Sequence, residues 1–98
     1  MYCRMVIEEC FSGHQVGEFA RLFEEERSRL KEEPGALKPA ECLVEEGGSL
    51  VVILTYWDSR DSCLRYHASR SYRQLVAKTQ HLLIGDFVVK LFRCESPA

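Results

Sequence analysis

Between Tyr2 and Phe11 the chain alternates, with Cys3, Met5 and Ile7 on one side and Arg4, Val6 and Glu8 on the other. That period of two predicts a strand with one face buried, ended by Ser12-Gly13. From His14 to about Lys31 the apolar positions Val16, Phe19, Leu22, Phe23 and Leu30 recur at three- and four-residue steps, the face of a helix. The charge run Glu24, Glu25 and Glu26 beside Arg27, Arg29 and Lys31 reads as its solvated side, and Pro34-Gly35 stops it. Leu37–Glu45 is the second predicted strand, and Pro39 assigns it to an edge because proline cannot donate to a ladder. Gly47-Gly48 supplies a tight hairpin turn.

Ser49–Trp57 (SLVVILTYW) is almost uninterruptedly β-branched and aromatic, as a strand covered on both faces must be, so it belongs at the centre of the sheet. Asp58 and Ser59 offer cap oxygens for a helix reaching about Ala68, and Ser69-Arg70-Ser71 interrupts it. A further helical stretch turns Tyr72, Leu75, Val76, Thr79 and Leu82 inward and ends near Gly85. Phe87–Cys94 is the last strand. The expected fold class is therefore α+β: a ferredoxin-like β-α-β-β-α-β chain with a four-stranded antiparallel sheet and a second helical region broken near Ser69–Ser71. One domain over residues 1–95 is expected, with a short polar tail at 96–98. Right-handed crossovers put the helices on one side of the sheet, leaving an apolar opposite side. Two such sheets packed face to face would close a homodimeric α+β barrel.

Composition narrows the partners. The net charge of −2, from 13 basic and 15 acidic residues, offers no excess to hold a phosphate backbone, so nucleic acid is not expected. No apolar run is long enough to cross a bilayer and Met1 opens directly into a strand, so the expectation is a cytoplasmic protein without a membrane partner. The five cysteines, Cys3, Cys10, Cys42, Cys63 and Cys94, contain no C-x-x-C pair and no histidine at ligand spacing. They read as mostly buried, unpaired thiols with no obvious positive neighbour, and neither a metal nor a cofactor is expected.

The run VVILTYWDSRDSCLRYHASRSYRQL, an apolar strand ending in Trp57, a short helix carrying His67, then Ser69 and Tyr72 opening the next helix, resembles the centre of the antibiotic-biosynthesis monooxygenase family. PGAL before the second strand and HLLIGDFVVKLFR at the end extend the likeness over nearly the whole chain. The resemblance implies a homodimer, joined through the sheet face, with a pocket between helices and sheet in each subunit. It also implies a relationship to cofactor-independent monooxygenases of polycyclic phenols or quinols and to haem-degrading enzymes. The haem-degrading branch uses an Asn, a Trp and an iron-ligating His. This chain has no Asn, carries Tyr66 at the Trp position and has Val76 near the iron-ligand position, so haem chemistry is disfavoured.

Among candidate residues, His67 follows Cys63 by four and Leu64 by three, which assigns it to one helix face turned toward the sheet. A neutral imidazole there can take the proton of a phenol or quinol, leaving an electron-rich anion able to react with oxygen. A helix-end histidine held by one hydrogen bond is the plainer alternative. Trp57 is a cavity wall or simply core; Tyr66 and Tyr72 are phenolic donors for a small aromatic or quinone-like ligand, and Cys63 adjoins them. Neighbours on a strand face opposite ways, so Tyr56 and Trp57 cannot share one pocket. Arg4, Arg65 and Arg70 read first as solvent-facing ion pairs and only second as anion-holding groups, while His14 and His81 receive no role. The function expected is a monooxygenase acting on a small aromatic phenol or quinol. The alternatives are a non-catalytic dimeric module that binds a hydrophobic ligand, as a sensor or stress-response accessory, and a scaffold whose aromatics only fill the core.

Overall fold

The structure, a computed structural model, describes residues 1–95; the tail expected at 96–98 lies outside the described residues. The order is β1 (Tyr2–Glu9), α1 (Gly13–Leu30), β2 (Ala36–Val44), β3 (Leu50–Trp57), α2 (Arg60–His67), α3 (Arg70–Thr79), a 3-10 turn (Gln80–Leu82) and β4 (Val88–Arg93). The four strands form one antiparallel sheet in the order β2-β3-β1-β4. The expected elements are all present, with ends moved by a few residues. β1 stops at Glu9 rather than Phe11 because Cys10 turns away to bridge Leu83 and gives its N–H to the Ser49 carbonyl at 2.8 Å.

β3 shows why it had to be central: Val51, Ile53, Thr55 and Trp57 are buried under the helices, and Leu50, Val52, Leu54 and Tyr56 alternate onto the opposite side. That alternation settles the question left open by sequence, since Trp57 faces the helices and Tyr56 the uncovered face. Pro39 does lie on the edge strand, where the β2–β3 register slips between Lys38 and Glu41. The Arg27 guanidinium donates to the Ala40 carbonyl there, at 2.8 Å.

β1 buries one face as expected, but the face under the helices is the polar set, Arg4, Val6 and Glu8. Register forces this. Arg4 pairs with Thr55 and Leu91, and Val6 with Ile53 and Val89, so all of them point to the helix side. Cys3, Met5 and Ile7 point to the other face, where they join Val52, Leu54, Leu43 and Phe92 in an apolar surface that no element among the described residues covers.

A second correction concerns the charge run on α1. Glu26 is buried, because it falls in the series Val16, Phe19, Phe23, Glu26, Leu30 that forms the inward face. Its carboxylate accepts from Arg29 at 2.7 Å and from the Ser71 hydroxyl at 3.0 Å, which compensates the loss of water. This contact ties α1 to the start of α3.

The break between α2 and α3 is made by two serine caps. Ser59 accepts from the Ser62 N–H at 3.1 Å, and Ser69 from the Tyr72 N–H at 3.2 Å. The second cap restarts the chain in a new direction. Gly35 seats the first: its φ is 88°, a side chain there would collide with Ser62, and its carbonyl accepts from the Asp58 N–H at 2.9 Å.

Candidate functional site

Trp57, Tyr66, Tyr72 and His67 form a continuous series of rings. Trp57 stacks on Tyr66 with centroids 5.1 Å apart, Tyr66 meets Tyr72 at 5.4 Å, and Tyr72 meets His67 at 5.3 Å. The series starts in the core, at the end of β3, and runs along α2 and the first turn of α3 to the surface. The four candidate aromatics are thus brought together, each touching the next.

Their exposure divides them. Trp57 is fully buried, donates its indole N–H to the Thr55 hydroxyl at 2.9 Å, and borders none of the spaces described below; its contribution is to hold Tyr66. Tyr66 is also buried, and burial followed by the nearby Glu26 charge pushes its hydroxyl well above the ordinary phenol range. It is a hydrogen-bond donor, not an acid, at any ordinary pH. His67, at the end of α2, is exposed to solvent, while its ring is turned toward the sheet and meets Arg4 of β1. In this two-turn helix Ser62, Cys63 and Tyr66 take the inward positions, and Leu64 is half exposed.

Two spaces meet at one residue. An inner cavity under the helices is lined by Arg4, Glu8, Phe23, Tyr66, Tyr72 and Leu75 among others, with a volume of about 10 Å³. That is room for about one water molecule. An outer cleft of about 270 Å³, lined by Arg4, Cys63, Leu64, His67, Val89 and Leu91, lies between α2 and the helix-side face of β4. Arg4 borders both.

Arg4 was expected to pair with ions in solvent; instead it is 3% exposed. Its guanidinium lies over the Tyr72 ring, 4.5 Å from the centroid, and its Nη2 donates to Nδ1 of His67 at 2.9 Å. Because Nδ1 accepts, a neutral His67 carries its proton on Nε2. Desolvation, and then the Arg4 charge, lower the imidazole from its ordinary value and keep it neutral at pH 7. Cys63 is 3% exposed at the back of the cleft, and burial pushes its thiol up despite the opposing field of Arg4, a positive neighbour the sequence did not disclose. Burial is less general among the cysteines than expected: Cys10 and Cys63 are buried, whereas Cys3, Cys42 and Cys94 are partly exposed. Arg65, Arg70, His14 and His81 are exposed and contribute nothing to either space.

Glu8 is the residue that sequence reasoning missed. It is 6% exposed on the helix side of β1, its Oε2 has no hydrogen-bond partner, and desolvation, partly offset by Arg4, raises its carboxyl to about 7. The Tyr72 hydroxyl is likewise buried without a partner. The signal available was Arg4 and Glu8 at even spacing on one side of a strand that also carries Val6. Among the described residues no group of three or more His, Cys, Asp or Glu side chains could hold a metal ion, and no helix is long and apolar enough to cross a membrane.

An antiparallel sheet with its helices on one side, and an arginine–histidine pair at a cleft walled by Leu64, Val89 and Leu91, define a ferredoxin-like α+β protein. Residues 10–78 match the family model for antibiotic biosynthesis monooxygenase, and the chain belongs to that family. Solved structures agree in fold. A putative antibiotic biosynthesis monooxygenase from Deinococcus radiodurans superposes with a TM-score of 0.85 at 14% identity, covering 100% of this chain and 96% of that one. The monooxygenase from ActVA-Orf6 of Streptomyces coelicolor, in complex with nanaomycin D, gives 0.85 at 17% identity over 99% and 89% of the two chains. SnoaB, a cofactor-independent oxygenase from Streptomyces nogalater, gives 0.81 at 15% identity over 98% and 94%. No curated protein matches the sequence.

Proposed function

We propose that the chain is a cofactor-independent oxygenase for a small phenol- or quinol-type aromatic, acting as a cytoplasmic homodimer joined through the uncovered sheet face, with residues 1–95 as its one domain. The observation that carries this reading is the Arg4–His67 hydrogen bond at the mouth of the cleft. A phenolic hydroxyl inserted between the two takes over both halves of that bond. Its O–H donates to the freed Nδ1 of His67, and its oxygen accepts from the guanidinium of Arg4. Proton transfer to His67 leaves a phenolate paired with a permanent cation, so the negative charge forms where an opposite charge already stands.

The chemistry then belongs to the substrate. An electron-rich phenolate reduces dioxygen directly: one oxygen atom bonds to a ring carbon, the O–O bond breaks, and the other leaves as water with the two hydrogens lost from the ring carbon and the phenol. A quinone remains. Leu64, Val89 and Leu91 supply the apolar walls of the cleft, and the Tyr72 ring, which lies beneath the Arg4 guanidinium, becomes a surface to stack on once Arg4 moves to the phenolate. Tyr66, supported by Trp57, holds Tyr72 in place, and Cys63 closes the floor.

The test is oxygen uptake by the purified protein with naphthols and naphthalenediols. His67→Ala is expected to lower the rate by about two orders of magnitude, the scale of a lost general base. Wild-type turnover in that variant removes His67 from the mechanism.

One observation favours a second reading, a dimeric module that binds the same ring without turning it over: the accepting nitrogen of His67 is already engaged. Saturable binding of a naphthol without oxygen uptake would establish that module instead.

A further inference from the structure

Among the polar side chains bordering the inner cavity, the hydroxyls have mostly found partners. Thr79 donates to the Leu75 carbonyl at 2.8 Å, and Thr55 accepts from Trp57. Glu8 and Tyr72 are different: each is more than nine-tenths buried, each borders the cavity, and each keeps an atom with no partner. A buried carboxyl left in this condition is destabilising, and Arg4 relieves it only in part, because no ion pair joins Glu8 to Arg4 among the described residues. The cavity between these atoms holds about one oxygen atom with its hydrogens.

Resting on the function proposed above, we infer that Glu8 determines specificity: it accepts a hydrogen bond from a second hydroxyl or amine at the inner end of the substrate, so the ligand class is an aromatic ring with polar groups at both ends. Arg4 and Glu8 stand four residues apart on one strand face, roughly 13 Å between Cα atoms, with buried Val6 between them, so the room for a ring is the place that the Arg4 side chain vacates. In the unliganded chain the guanidinium of Arg4 lies on Tyr72. A ligand ring that draws Arg4 outward to its phenolate takes that place, stacking on Tyr72, and its far hydroxyl enters the one-oxygen space. There it donates to Glu8 and accepts from Tyr72, which gives both orphaned groups a partner. A ring without that hydroxyl leaves them unpaired in a drier site, and sites of this kind reject such analogues strongly.

The experiment compares, at pH 8 and without oxygen, binding of a naphthalenediol with hydroxyls at opposite ends of the ring system and of the naphthol lacking the inner one. Calorimetry on the wild-type protein is expected to show the diol bound roughly tenfold to a hundredfold more tightly, the value of a hydrogen bond to a buried charge. Glu8→Leu is expected to abolish the preference while still binding the naphthol. Removing an unpaired buried carboxyl does not endanger the fold, and Glu8→Gln, which keeps an acceptor, is expected to retain part of the preference. Equal wild-type affinities, or a preference that survives in Glu8→Leu, overturn the role of Glu8 and leave the proposed oxygenase intact. Failure of the wild type to bind either compound overturns both.

Discussion

The guanidinium of Arg4, the third residue of the inner strand β1, donates a 2.9 Å hydrogen bond to Nδ1 of His67, 63 residues later at the end of a helix. The bond fixes the imidazole tautomer and brings a permanent positive charge against a titratable ring. Arg4→Met removes both the charge and the donor. The His67 titration, followed by the C–H proton resonances of the ring, is then expected to move up toward the ordinary imidazole value of about 6.5. In the wild-type protein the folded chain binds this proton less readily than the unfolded one. Stability linked to His67 is therefore present above the ordinary imidazole range and declines as pH falls through it.

Glu8 has the opposite linkage. Its folded value, raised to about 7, lies above that of an unfolded carboxyl, so between these values the native state holds more protons than the unfolded state. Its unfavourable contribution grows as pH rises from about 5 to 8, and reaches about 3 kcal/mol on the scale of 1.4 kcal/mol per pH unit. Urea melts across that range are expected to show wild-type stability falling relative to Glu8→Gln, with the gap widest at pH 8. Parallel curves would mean that Glu8 ionises normally.

Trp57 is a structural group in this site. Its ring is fully buried and stacked on Tyr66 at 5.1 Å, so Trp57→Ala is expected to cost about 3–5 kcal/mol, the range for a large aromatic removed from a core. Thermal melting measures it. Trp57→Phe, which keeps a ring, should recover most of the loss, and little change with alanine would show that Tyr66 needs no support.

The uncovered face of the sheet predicts self-association. Leu54, half-buried at its middle, is opposite Met5 in the ladder and beside Glu41. Sedimentation is expected to give a dimer for the wild type, and a folded monomer for Leu54→Glu, since a second carboxylate buried beside Glu41 opposes association. A wild-type protein that sediments as one chain removes the dimer.

Cys63 tests the access to the cleft. At 3% exposed, with its thiol raised by burial, it is expected to react with an alkylating reagent at pH 7.5 many times more slowly than the partly exposed Cys94. Rapid labelling of Cys63, located by mass spectrometry, would mean that the cleft opens further.

Local pattern by itself determined the succession of elements. The unbroken apolar run Ser49–Trp57, the three- and four-residue steps of Val16 to Leu30, and Ser59 as a cap each concern neighbours in sequence, where geometry allows only a few outcomes. The same local reasoning named His67, Trp57, Tyr66, Tyr72 and Cys63, because aromatic and reactive side chains stand out in any sequence. Only the tertiary structure decided how they are used. The β1–β3 and β1–β4 registers turned Arg4 and Glu8 under the helices, and with them buried a charge that sequence assigned to solvent and a carboxyl it did not notice. The helical series through Phe19 and Phe23 did the same to Glu26. Burial of a charge depends on which distant elements cover it, and a bond such as that from Arg4 to His67 exists only after the chain has closed on itself.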